Sequence, residues 1–147
     1  MNRSIKALFD DAMAATRLEL LPVRIRTGLA AGARWSIYPM SSYWRGGHEP
    51  EVQAALQQLA PWTGKACWDL GAHFGLYSIG LALATGPTGQ VAAFEPNPLS
   101  FRRLDYHRHL NRLHWLQAYP LAASDRTSTS ELFTYGTLRV TTSHLRY

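Results

Sequence analysis

The stretch from Lys65 to Glu95 limits what this chain can fold into more than any other. Lys65–Leu70 reads as a short apolar strand ending in an acid, and Gly71–Gly75 as a glycine turn. Leu76–Thr85 follows as an apolar helix, Gly86–Gly89 as a loop, and Gln90–Glu95 as a second buried strand that also ends in an acid. Pro98–Asn111 then reads as a helix, with Phe101, Leu104 and Leu110 inward and Arg102, Arg103, Arg108 and Arg112 outward. Trp115–Tyr119 reads as a third strand. Strands alternating with helices in this way predict a parallel sheet in an α/β fold.

The turn between the first strand and its helix is Asp69-Leu70-Gly71-Ala72-His73-Phe74-Gly75. Glycines placed there let a ligand come close to the backbone. Glu95 follows about 20 residues after the last glycine, the offset at which an acid meets ribose hydroxyls in dinucleotide-binding units. Both acids fall at the carboxyl ends of neighbouring strands, where open α/β sheets bind their ligands. The glycine spacing is Gly-x-x-x-Gly, so the usual pyrophosphate cradle is missing. A carboxylate at Asp69 would repel a pyrophosphate and attract a ligand with a cationic end. This favours S-adenosylmethionine over a nicotinamide dinucleotide. A lone glycine pair also occurs for packing alone; it is the combination with Asp69 and Glu95 that makes the pattern specific.

Upstream the grammar is different. Ile5, Leu8, Phe9, Ala12, Met13, Thr16 and Leu20 recur at helical spacing, between a Ser4 cap and Pro22. Val23 and Ile25 alternate with arginines as a short strand, Arg34–Met40 reads as extended, and Ser41–Gly47 as a turn. Pro50 opens a helix that Pro61 closes, with Val52, Ala55, Leu56 and Leu59 as its apolar face. We divide the chain into a mostly helical and extended segment, 1–62, and a cofactor-binding unit, 63–147. Trp35, Trp62, Trp68 and Trp115 are read as core or interface residues. Past Pro120 the pattern weakens, with one more strand expected at Glu131–Tyr135.

Composition sets the outer limits. Of 147 residues, 46% are hydrophobic and 17% charged, which suits a globular fold with a core. The net charge is +5, but the arginines are scattered, so it indicates solubility and a weak bias toward anionic substrates rather than a nucleic-acid partner. No apolar run is long enough to span a membrane. The single cysteine, Cys67, cannot form an internal disulfide, and we expect a structural thiol in the cytoplasm. His107 and His109 lie on the basic helix and are expected in solvent. No His, Cys or carboxylate group has metal-ligand spacing, so no metal is expected.

Four ordered motifs carry a family resemblance. They are Asp69-Leu70-Gly71-Ala72-His73-Phe74-Gly75-Leu76-Tyr77-Ser78, Ala93-Phe94-Glu95-Pro96-Asn97-Pro98, Leu110-Asn111-Arg112-Leu113 and Ala122-Ala123-Ser124-Asp125. Together with His48-Glu49-Pro50-Glu51 upstream, they resemble the FkbM methyltransferases across roughly Tyr43 to Phe133. The resemblance implies the N-terminal part of a Rossmann-like class I methyltransferase fold that uses S-adenosylmethionine, with O-methylation of a hydroxyl on a sugar or small metabolite. It implies cofactor-binding roles for Asp69, Gly71, Ala72, His73, Gly75, Glu95, Pro96 and Asn97, with Ala123 and Ser124 near the adenine. The family usually has Asn where this chain has His73. That substitution leaves two readings, a hydrogen-bond donor or a surface turn residue.

No catalytic base can be named. His48 sits where a lid could form, although an exposed turn histidine is the simpler reading. Tyr43 and Trp44 are read mainly as packing residues. The strands that would complete a class I sheet are not found, so a second reading is a non-catalytic, cofactor-binding remnant. We expect a small-molecule acceptor, no nucleic-acid or membrane partner, and pairing of copies through an open sheet edge.

Overall fold

The structure is a computed structural model that describes residues 21–37, 43–133 and 137–144. The helix expected between Ser4 and Leu20 lies outside the described residues. The first described elements are a small antiparallel hairpin, β1 (Pro22–Arg24) and β2 (Arg34–Ser36), in which Val23 pairs with Trp35. A single 3-10 turn covers Tyr43–Arg45. Helix α1 (Pro50–Gln58) follows, with Pro50 in its first turn as the sequence predicts.

The central unit is β3 (Ala66–Leu70), α2 (Leu76–Thr85), β4 (Gln90–Phe94), α3 (Pro98–Leu110) and β5 (Leu116–Tyr119). The three strands are parallel in the order β3-β4-β5, with Asp69 beside Ala93 and Ala93 beside Ala118. This is the alternating strand–helix arrangement of a Rossmann-like fold, and its element bounds follow the sequence reading closely. Successive strand residues face opposite sides of a sheet. Val91, Ala93 and Leu116 face the side that is packed, where they join Ile79, Ala82 and Leu104 from the two helices in one core. Each fully buried Val, Leu or Ile among them contributes about 2 kcal/mol, and each alanine less. On the other side Trp68 and Leu70 are about half exposed, so Trp68 is not a core residue. Among the described residues β3 has one neighbouring strand, β4.

The hairpin belongs to the same core, because Ile25 and Trp35 are buried in it. What fixes it there is a histidine. His107 on α3 was expected in solvent and instead has no exposed surface. Ser36 N–H and Oγ both reach its Nε2, at 3.2 and 2.7 Å, so Nε2 acts as the acceptor. Nδ1–H then donates to the Phe74 carbonyl at 2.8 Å. The ring also stacks on Trp35, centroid to centroid at 3.7 Å. All its polar atoms are satisfied, so burial is tolerated. Arg103, also expected outward, is half-buried with its guanidinium 5.4 Å from the Phe74 ring centroid.

Helix α1 departs from its expected orientation as well. Val52 and Leu59 are exposed, and the buried position is Gln53. Its Oε1 accepts from Leu29 N–H at 2.7 Å, and its Nε2 donates to the carbonyls of Gly46 and His48. Three backbone groups in two loops have their partner in this one amide, which sets the rotation of the helix against its weak apolar stripe.

Beyond β5 the chain forms a second sheet, β6 (Ala122–Ser124), β7 (Ser128–Phe133) and β8 (Thr137–His144), in the order β6-β8-β7. The strand expected at Glu131–Tyr135 is β7, which starts earlier, at Ser128.

Two stability predictions follow from the polar core. Burial pushes the His107 imidazole down to about 4 from an ordinary 6.5, with Arg103 adding to the effect and the Phe74 carbonyl opposing it. The unfolded chain therefore binds a proton between pH 6.5 and 4 that the folded chain refuses. The neutral ring's contribution is complete above pH 6.5, and about 3 kcal/mol is lost as pH falls to 4. Urea unfolding at pH 7.5 and pH 4.5 checks this, and the histidine's share of the loss should vanish in His107→Gln. Gln53→Ala should cost about 3 kcal/mol in the same assay, since it leaves three backbone groups without their partner.

Candidate functional site

The two turns at the carboxyl ends of β3 and β4 form the site. Gly71 has φ +83, in the left-handed region, and a Cβ built on it meets no atom within 4 Å. Its N–H and that of Ala72 both donate to the Phe94 carbonyl, at 2.9 and 3.0 Å, so the β3 turn is bonded to the end of β4. Gly75 has φ +88 and lies against Leu104, where a Cβ would run into Leu104 Cδ1. Gly71 thus faces open space while Gly75 allows the turn to pack on α3. His73 also has positive φ, +50. Asn, Asp and His enter that region more readily than other residues. This backbone preference explains how a histidine can occupy the position where the FkbM pattern has asparagine.

Glu95 is 7% exposed and follows β4 directly. Its Oε2 accepts from His73 N–H at 2.7 Å and its Oε1 from Asn97 N–H at 2.8 Å. One carboxylate therefore ties the glycine turn to the β4–α3 turn. Pro96 lies between these bonds. Asn97 is the N-cap of α3, its Oδ1 accepting from Leu99 N–H at 2.9 Å. That cap is a structural role for Asn97 in its own right.

Asp69 is placed differently from Glu95. Its Oδ2 accepts from Ser78 Oγ on α2. Burial pushes its carboxyl up, with the Ser78 bonds opposing and the Glu95 charge adding to the rise. Burial likewise pushes the Cys67 thiol up, toward the neutral form. Ala123 and Ser124 lie on β6, and among the described residues no bond joins them to Glu95 or to the glycine turn. No group of His, Cys, Asp and Glu among the described residues is arranged to hold a metal ion. No described helix is long and apolar enough to cross a membrane.

Beside the glycine turn is a cleft of about 190 Å³. Gly71, Ala72, His73 and Tyr77 line one side, and Tyr43, His48 and Glu49 come from the upstream segment. Tyr43 Oη and His73 Nδ1 are bonded at 3.2 Å, and the Tyr43 ring meets His48 edge-on at 4.6 Å. Tyr77 Oη donates to Glu49 Oε2 at 2.7 Å. His48 is therefore a half-buried wall of the cleft, and Tyr43 bonds directly to the turn. Trp44 points elsewhere, between Arg26 and Arg45. The motif pattern singled out neither Glu49 as a charge nor Tyr77. Their shared signal is the pairing of an acid with a phenol across 28 positions, which no local periodicity shows.

No protein-family model matches the chain, and no curated protein sequence matches it. Solved structures do. A SAM-dependent methyltransferase from Aquifex aeolicus aligns over 47% of this chain and 36% of its own, at 20% identity and a TM-score of 0.41. TYW2 of P. horikoshii, in complex with MeSAdo, aligns over 62% and 33%, at 19% identity and a TM-score of 0.45. Aeropyrum pernix fibrillarin, with natively bound S-adenosyl-L-methionine, aligns over 49% and 32%, at 21% identity and a TM-score of 0.42. The matched part of this chain spans about a third of the length of each.

The two glycines should differ on substitution. Gly71→Ala meets only the backbone cost of positive φ, about 1–2 kcal/mol. Gly75→Ala adds a clash with fully buried Leu104 and should cost about 3 kcal/mol or more. Denaturant titration of the two variants side by side gives the difference.

Proposed function

We propose that this chain carries the cofactor-binding part of an S-adenosylmethionine-dependent methyltransferase of the FkbM kind, acting on a hydroxyl of a sugar or small metabolite. The observation that carries the reading is Glu95, a carboxylate held by two backbone N–H groups at the mouth of the glycine turn. A carboxylate has about four acceptor positions, so two remain for the paired hydroxyls of a ribose. Gly71 supports the same reading, because open space lies where a side chain would stand. The four sequence motifs support the family reading, and two of them, the glycine turn and the Glu95 turn, lie side by side at the end of the parallel sheet.

In this reading Glu95 orients the ribose. Gly71 and Ala72 give the cofactor close access to the backbone, while His73, Gly75, Pro96 and Asn97 fix the two turns around it. Ala123 and Ser124 are assigned to the adenine side, and the described upstream residues Ile25 and Trp35 pack against the unit that begins at residue 63. The cofactor supplies a methyl group already activated on a sulfonium. What the protein must add is alignment of the acceptor oxygen with that methyl, which well-oriented sites do at a large gain in rate. A lone cysteine and this cofactor are both at home in a reducing cytoplasm.

Calorimetric titration with S-adenosylmethionine and S-adenosylhomocysteine tests the proposal. The wild-type chain should bind both, and Glu95→Ala should weaken each about tenfold or more, equal to about 1.4 kcal/mol. A folded wild-type chain that binds neither would overturn the reading.

A further inference from the structure

Glu49 holds an unusual position for the N-cap of a helix. Its backbone is left-handed, at φ 46 and ψ 62, and its side chain makes no cap bond to α1. A short polar N-cap side chain such as Ser or Asp ordinarily turns back onto the first free N–H groups, and the longer Glu49 side chain does not. A non-glycine residue held in this backbone region is strained, and such residues concentrate at functional sites. Here the carboxylate is turned across the cleft instead, where Tyr77 Oη donates to it at 2.7 Å and His48 Nε2 lies 3.6 Å away. Among the described residues three non-glycine positions have positive φ. Two of them, Glu49 and His73, line this same cleft.

The rest of the lining suits a cation and suits an anion poorly. The N–H groups of Gly71 and Ala72 are taken by the Phe94 carbonyl, that of His73 by Glu95, and that of Gly75 by the Ala72 carbonyl. The side chains of Tyr43 and Tyr77 also line the space, and aromatic rings attract cations that approach their faces. Burial and nearby His48 push the His73 imidazole down, against the pull of Glu95, so at neutral pH it adds no competing positive charge. Glu49 is the one carboxylate of the lining. Asp69, the acid that the motif suggests for this purpose, is bonded to Ser78 and is not part of it.

We propose that this cleft takes the α-ammonium of the cofactor's amino-acid end, with Glu49 as its counter-charge and Tyr77 as the group that holds Glu49 in place. The inference rests on the cofactor reading above. It assigns to the upstream segment a direct part in cofactor binding.

The test compares two ligands by calorimetry on the full chain. S-adenosylmethionine carries the ammonium, whereas 5′-methylthioadenosine keeps the nucleoside and lacks it. Glu49→Gln should lower affinity for S-adenosylmethionine about tenfold and leave 5′-methylthioadenosine unchanged. Tyr77→Phe, which keeps the ring and removes the hydroxyl, should show a smaller loss confined to the same ligand. Thermal melts of both variants confirm that they are folded. Unchanged S-adenosylmethionine affinity in both variants would overturn the Glu49 assignment and leave the cofactor reading standing. Equal loss for both ligands would also overturn it, because Glu49 would then act on the nucleoside half or on the fold. A wild-type chain that binds neither ligand overturns both readings.

Discussion

Backbone N–H groups from two separate turns converge on the Glu95 carboxylate, and much of this structure follows from that convergence. A carboxylate that is 7% exposed needs strong partners, since charge removed from water is costly. His73 and Asn97 supply them from opposite sides. To deliver its N–H, His73 adopts a left-handed backbone, and the chain must then turn again at Gly75. To deliver its own, Asn97 stands at the start of α3, where its side chain caps the helix. The placement of α2 and α3 over one face of the sheet is thus coupled to a single charged group at the sheet's end.

The glycine turn is also gripped from behind. The Phe74 carbonyl ends on His107, and His107 ends on Ser36, so the turn, helix α3 and the hairpin share one chain of bonds. Gln53 performs a similar office for the loops at Gly28–Leu29 and Gly46–His48. Both are polar groups inside the fold, and each is saturated. A half-satisfied group in either place would be worse than an apolar one. The upstream segment therefore joins the sheet unit through specific bonds as well as through the apolar contacts of Trp35 and Ile25.

The same polar groups mark where the sequence was legible and where it was not. The strands and helices from Ala66 to Tyr119 were readable because their apolar periods are strong and glycine or proline punctuates each boundary. The position of Glu95 at the end of β4, beside the glycine turn, was readable from its offset to the glycines. His107 and Gln53 were not, because a polar residue on a helix ordinarily indicates the solvent face, and only long-range bonding reverses that. The orientation of α1 was misread for the same reason: one amide with three partners outweighs the exposure of Val52 and Leu59. Of the second sheet, only β7 was anticipated, since β6 is three residues long and the Ser/Thr-rich stretch around β7 weakens any alternation. The cleft went unseen because His48 and Glu49 are far in sequence from His73 and Tyr77.

The contact between Gly75 and Leu104 has a consequence for how such a sequence can drift. The turn and the helix approach so closely that a single methyl group on residue 75 has no room beside the leucine. The two positions lie 29 residues apart and yet make up one steric locus. A lineage that gains a side chain at the first can keep this fold only by trimming the second or by moving α3 outward, and moving α3 would draw Asn97 away from Glu95. Selection on the turns at the carboxyl end of the sheet therefore reaches a leucine buried on α3.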